Sequence, residues 1–162
     1  MDHFVSSYTN RIDAKGRVSV PAAFRAILTR DASETLFCYP ALDAVTIDAG
    51  GASLVSEIYA LLDELAPYSD ERDELSLALF GDAENLKIDG DGRILLPQRL
   101  RDYAGITDMV TFVGVGHKFQ IWAPANLQSR LASARERVRE HKHLLRSRRP
   151  RAMTDGNGDA GA

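Results

Sequence analysis

The chain repeats itself, and this limits its fold more than any other feature. Residues 11–25 read RIDAKGRVSVPAAFR and residues 87–101 read KIDGDGRILLPQRLR. At an offset of 76, six of the fifteen positions are identical: Ile12/Ile88, Asp13/Asp89, Gly16/Gly92, Arg17/Arg93, Pro21/Pro97 and Arg25/Arg101. Average composition would give about one identity by chance. Most other pairs keep their chemistry, as in Arg11/Lys87, Val18/Ile94, Val20/Leu96 and Phe24/Leu100. The apolar stretches that follow, 36–39 and 45–47 in the first copy and 109–113 and 119–122 in the second, also agree in kind. Two copies of one unit of about 45 residues are therefore joined in tandem.

Each copy reads as strand, turn, strand, helix, strand, strand. Residues 13–16 (DAKG) and 89–92 (DGDG) are turn-rich links between apolar runs, a hairpin signal. Pro21 and Pro97 stop the second strand and suit the first position of a helix, where a missing N–H costs nothing. The helices are predicted from Ala22 to about Thr29, and from Gln98 to Ala104 with Gly105 as the stop. A unit this small buries too little apolar surface to stand alone. Each copy should pair with its twin, within the chain or across chains.

The remaining segments are helical. Residues 53–65 carry apolar positions 54, 58, 61, 62 and 65 on one helical face, and Pro67 breaks the run. Asp70 is the expected N-cap of a second helix through Phe80, stopped by Gly81. Leu127, Leu131, Ala134, Val138 and Leu145 mark a stripe on a helix reaching about residue 147, expected to pack on the body, with Arg130, Arg135, Arg137, Arg139, Lys142 and Arg146 on its other faces. Residues 150–162 are expected to be disordered. The domain reading is a first unit at 7–52, a connector at 53–82, a second unit at 83–126, and a C-terminal basic helix with its tail at 127–162. The fold class is α+β.

The net charge of −3 conceals blocks. Residues 1–30 hold five Lys/Arg against two Asp/Glu, residues 31–92 two against fifteen, and residues 93–151 thirteen against four. Basic ends around an acidic middle can present a cationic face to a polyanion. Alternatively, folding interleaves these charges into an ordinary surface.

The segment Asp13-Ala14-Lys15-Gly16-Arg17, leading through Val18-Ser19-Val20 to Pro21, resembles the D-x-x-x-R signature of the MraZ family, part of the AbrB-like, swapped-hairpin superfamily of bacterial DNA-binding proteins. Asp89-Gly90-Asp91-Gly92-Arg93 with Pro97 matches the same signature, and residues 79–84 resemble the family's entry to its second unit. The resemblance spans roughly residues 4–140. It implies tandem swapped-hairpin β-units and a transcriptional repressor of the division and cell-wall gene cluster. It also implies binding of short tandem repeats in promoter DNA by a homo-oligomeric ring with one basic face. A cytoplasmic, nucleoid-associated protein follows from that role.

The residues themselves support such chemistry. Gly16 and Gly92 permit turn geometries that a Cβ resists. Asp13 and Asp89 can accept hydrogen bonds from turn N–H groups or pair with the arginine four residues on. A guanidinium held in this way suits a guanine edge or a phosphate. The alternative is that each Asp–Arg pair merely stitches its hairpin. Candidate DNA contacts are, in order, Arg17 and Lys15, then Arg11 and Arg25, then Arg93 and Arg101. The second turn carries Asp91 where the first has Lys15, which opposes direct contact with phosphate.

Other chemistries find little support. The twelfth position counted from Asp89 is Leu100, not the glutamate of an EF-hand calcium loop. His117, His141 and His143 make no ligand set, and no nucleophile–base pair or phosphate loop occurs. No enzyme activity, metal or cofactor is expected, and no apolar run is long enough for a membrane span. No secretory signal is read at the N-terminus. The lone Cys38, between Phe37 and Tyr39, is expected to be a buried apolar residue. The functional alternative is an oligomeric scaffold for protein partners that does not bind DNA specifically.

Overall fold

In a computed structural model, residues 2–146 are described. The first copy forms β1 (Ser7–Arg11), β2 (Arg17–Ser19), α1 (Ala22–Arg30), β3 (Thr35–Pro40) and β4 (Ile47–Gly50). Two connector helices follow, α2 (Ala52–Asp63) and α3 (Asp70–Ser76). The second copy repeats the order with β5 (Glu84–Lys87), β6 (Arg93–Leu95), α4 (Gln98–Ala104), β7 (Met109–Gly114) and β8 (Phe119–Trp122). The last helix, α5, spans Pro124–His141 and runs into a 3₁₀ turn at Lys142–Leu145. The architecture is α+β, with antiparallel pairing throughout the described strands.

The two copies pair within one chain by exchanging strands. A six-stranded sheet runs β1-β7-β8-β4-β3-β5, so the first strand of each copy pairs with the third strand of the other. Thr9 lies opposite Thr111, and Leu36 opposite Leu86. β2 and β6 form a separate two-stranded ribbon, with Arg17 opposite Leu95, Val18 opposite Ile94 and Ser19 opposite Arg93. The hairpin signal is thus half right. The turns form, but β1 and β2 do not share a ladder, because each finds its partner in the twin.

Burial follows from this exchange. Val18, Val20, Phe24 and Leu28 of the first copy and Ile94, Leu96 and Leu100 of the second share one core with Phe112, Phe119 and Ile121. β3 is buried on both faces: Leu36 and Cys38 point into that core, while Phe37 and Tyr39 join Leu54, Ile58 and Leu62 of α2 in a second cluster. Burial pushes the Cys38 thiol up to about 12, as expected of an inert thiol in apolar surroundings.

Local details differ from the sequence reading. Pro21 and Pro97 occupy the N-cap position rather than the first helical turn, and their carbonyls accept from Phe24 N and Leu100 N. Ser69, not Asp70, caps α3 by accepting from Arg72 N at 3.3 Å. Beyond Ser76 the helix widens to a π-turn over Leu77–Gly81, closed by Asp82 N to Leu77 O at 2.9 Å. Leu61 is exposed, since the seam at 54, 58 and 62 suffices to dock α2.

The chain divides into two compact units, residues 1–127 and 128–162. Leu127 of α5 is buried, whereas Leu131 and Val138 of α5 and Leu145 of the 3₁₀ turn are exposed. Residues 150–162 lie outside the described residues.

Candidate nucleic-acid interface

The pleat of the β2–β6 ribbon sorts its residues by face. Val18 and Ile94 point into the core, which leaves Arg17, Ser19, Arg93 and Leu95 on the outer side. Both signature arginines therefore share one outer face, at opposite ends of a ribbon only three residues long. A turn projects beside each of them.

The first turn is built by its aspartate. Asp13 Oδ1 accepts from Lys15 N at 3.0 Å and Arg17 N at 2.9 Å. Its Oδ2 accepts from Arg17 Nε at 2.8 Å. Backbone bonds from Asp13 N to Arg17 O and from Gly16 N to Asp13 O close the loop. Asp13 thus accepts from the turn backbone with one oxygen and from the Arg17 side chain with the other. The Arg17 backbone N–H and then its side chain hold the Asp13 carboxyl below the usual carboxylate range. Arg17 is anchored through Nε, and its two terminal nitrogens have no protein partner among the described residues. Lys15 is exposed at the tip, and Arg11 is exposed at the end of β1.

The second turn copies the backbone but not the charges. Asp89 Oδ1 accepts from Asp91 N and Arg93 N, both at 2.9 Å, and the Arg93 backbone N–H leads in lowering its pKa. Arg93 is drawn between two carboxylates, with Nε 3.4 Å from Asp89 Oδ2 and a terminal nitrogen 3.3 Å from Asp91 Oδ2.

Arg25 and Arg101 make contacts between the copies. Both are half-buried. Arg25 Nε donates to Val20 O at 3.1 Å, and Arg101 Nε to Leu96 O at 3.0 Å. Each guanidinium lies against the turn glycine of the opposite copy. A Cβ built on Gly92 would fall 2.6 Å from the Arg25 guanidinium carbon, and one on Gly16 would fall 3.0 Å from that of Arg101. The backbone repeats the reciprocity, with Val20 N donating to Gly92 O at 2.9 Å and Leu96 N to Gly16 O at 2.8 Å. Gly16 and Gly92 have φ of 93° and 78°, a region that L side chains rarely adopt. These two arginines clasp the copies together. The matching identities Arg25/Arg101 and Gly16/Gly92 were the available hint, but a sequence does not show which glycine an arginine reaches.

Arg99 is another cation committed to structure, bound to Asp82 at 2.8 Å and Glu84 at 3.0 Å. Among the described residues, no cluster of His, Cys, Asp or Glu could hold a metal, and no helix is long and apolar enough to cross a membrane.

These features define a class: duplicated α+β proteins whose strand-exchanged copies present charged aspartate–arginine turns on a two-stranded ribbon. A family model described as MraZ protein matches residues 79–146. The "Transcriptional regulator MraZ" of Xanthobacter autotrophicus is 52% identical over 148 residues, covering 91% of this chain and 94% of that protein. The protein of the same name from Beijerinckia indica is 54% identical over 148 residues, with 91% and 90% covered. That from Azorhizobium caulinodans is 48% identical over 162 residues, with 100% and 98% covered. The chain belongs to the MraZ family, a family of transcriptional regulators and not of enzymes.

Proposed function

We propose that this protein is a sequence-specific DNA-binding transcriptional regulator of the cytoplasm and nucleoid, which represses by binding short tandem repeats in promoter DNA as a homo-oligomeric ring. The observation that carries this reading is Arg17, fixed through Nε by Asp13 on an exposed side chain whose terminal nitrogens make no hydrogen bond among the described residues. A two-stranded ribbon fits the major groove, and a guanidinium fork pairs with the O6 and N7 of guanine. Lys15 at the tip meets phosphate, and exposed Arg11 lies close enough in the chain to extend that contact. Arg25 and Arg101 act indirectly, by holding the turns in place. The strand exchange supports the swapped-hairpin description, with units at 7–52 and 83–126, a connector at 53–82 and the basic helix and tail at 127–162.

The test is fluorescence anisotropy with duplex DNA from just upstream of the protein's own gene against random duplex DNA. Clear preference for the upstream DNA is expected, and equal binding would overturn the reading. Lys15→Ala should weaken both DNAs alike. It should also reduce the slope of log affinity against log salt by about 0.9 for each phosphate that the protein no longer neutralises.

A second reading, a protein-interaction scaffold, draws on exposed Tyr68 just before the acidic first turn of α3 and on exposed Leu77 at that helix's C-terminal end. It gains ground only if specific DNA binding fails.

Because the twin copies satisfy each other within one chain, their pairing does not itself demand further subunits. The argument for a ring rests on the open outer edges of β1 and β5 and on exposed Val5, Tyr59, Leu61 and Tyr68. Light scattering at micromolar concentration should show an assembly larger than a dimer. A stable monomer would contradict it.

A further inference from the structure

The two turns share one backbone design and one outer face, yet their side chains make opposite fields. The first turn presents Lys15 and Arg17 with one aspartate. The second presents Arg93 with Asp89 and Asp91. In the first, Arg17 Nε makes a 2.8 Å bond to its aspartate and the far end of the fork stays unengaged. In the second, the far end of Arg93 is turned to Asp91, and its Nε is buried without a hydrogen bond. Asp91 itself is 78% exposed at the tip, where the first turn has its lysine.

We infer that Asp91 silences the second turn, so that each copy of the chain reads DNA through the Asp13–Arg17 turn alone. This rests on the proposed DNA-binding function and specifies which half of the ribbon performs it. The ion pair is not the main cause, because an exposed pair contributes little and is screened by salt. The larger effect is the anion at the tip. A turn approaching the duplex must bring Asp91 toward a phosphate, and this repels where Lys15 attracts. Arg93 meanwhile commits one of its two terminal nitrogens to that carboxylate instead of a base edge. The ribbon therefore meets DNA with a polarity, one end toward the groove and the other held off.

The experiment restores the missing charge. Asp91→Lys in the full chain, with oligomer size and melting temperature checked, should raise affinity for promoter and random DNA several-fold. It should steepen the salt slope by about 0.9 for each additional phosphate neutralised. Asp91→Asn, which keeps the size and removes the charge, should give part of that increase. Asp43→Lys, the same charge change on the loop between β3 and β4 and outside both turns, should give much less. Arg93→Ala should weaken the native protein less than Arg17→Ala does, but cost markedly more in the Asp91→Lys background. The inference falls if Asp91→Lys leaves the slope unchanged, if Asp43→Lys matches it, or if Arg93→Ala equals Arg17→Ala in the native chain. A native chain that binds promoter DNA through Arg17 yet ignores Asp91→Lys overturns this inference alone. A native chain with no preference for promoter DNA overturns the functional reading and the inference together.

Discussion

Arg17→Ala should abolish the preference for promoter over random DNA while leaving the fold intact. The side chain lies on the outer face of the ribbon and is not part of the core, so little stability is at stake. Removing a bidentate pair to a base costs on the order of 1–3 kcal/mol per engaged subunit. In an assembly that engages several repeats at once, these losses compound through avidity into a collapse of promoter binding. Asp13→Ala separates two explanations. If the aspartate aims the arginine, the variant should lose discrimination as Arg17→Ala does. If it only closes the turn through Lys15 N and Arg17 N, the main loss should appear in thermal stability. Wild-type affinity and discrimination in Arg17→Ala would mean that the hairpin is not the reading element, and the scaffold reading would replace it.

Phe24→Ala should be the most damaging single truncation to stability, costing about 3–5 kcal/mol. Phe24 is fully buried and packs its ring against Phe4 at 5.3 Å, Tyr8 at 5.4 Å and Phe119 at 4.9 Å between centroids. Phe119 belongs to the second copy, so the cavity opens in the core that both copies share. Urea denaturation should show one cooperative transition shifted to lower midpoint. A loss below about 1 kcal/mol would mean that the surroundings collapse into the space, against the usual behaviour of aromatic truncations. Two separate transitions would show that the copies fold independently, contrary to their exchanged strands.

The parts of this fold that were legible in the sequence are those written in local chemistry. The helix at Gln98–Ala104 ends where Gly105 turns left-handed at φ 67°, as a glycine after a short amphipathic run foretells. The Asp13–Arg17 turn was visible for the same reason, since its hydrogen bonds join residues at most four apart. Strand partnership was not visible. Ladder bonds run between backbone groups that every residue carries, so nothing in Tyr8 names Phe112 as its opposite. Nor does a guanidinium at position 25 announce that it will lie against Gly92. Arg25 and Arg101 therefore read as cations available to DNA, and their place against the opposite copy's turn glycine was not legible. The second turn shows the middle case. Asp91 was readable as an unwelcome charge, but the ion pair of Arg93 with it depends on a side-chain conformation that the sequence does not fix.

The reciprocal clasp has a consequence for how such a protein can diversify. Two separate half-length chains joined by the same exchange of strands would form a symmetric pair, obliged to carry one residue at both turn tips. Any improvement at one tip would be forced upon the other. Covalent tandem linkage removes that obligation. Each half keeps the arginine that grips its neighbour's glycine, so the scaffold remains twofold, while the tips are free to differ. Lysine at position 15 and aspartate at position 91 are such a difference. The fused chain acquires a direction that a symmetric dimer could not have, with a cationic tip at one end of the ribbon and an anionic tip at the other.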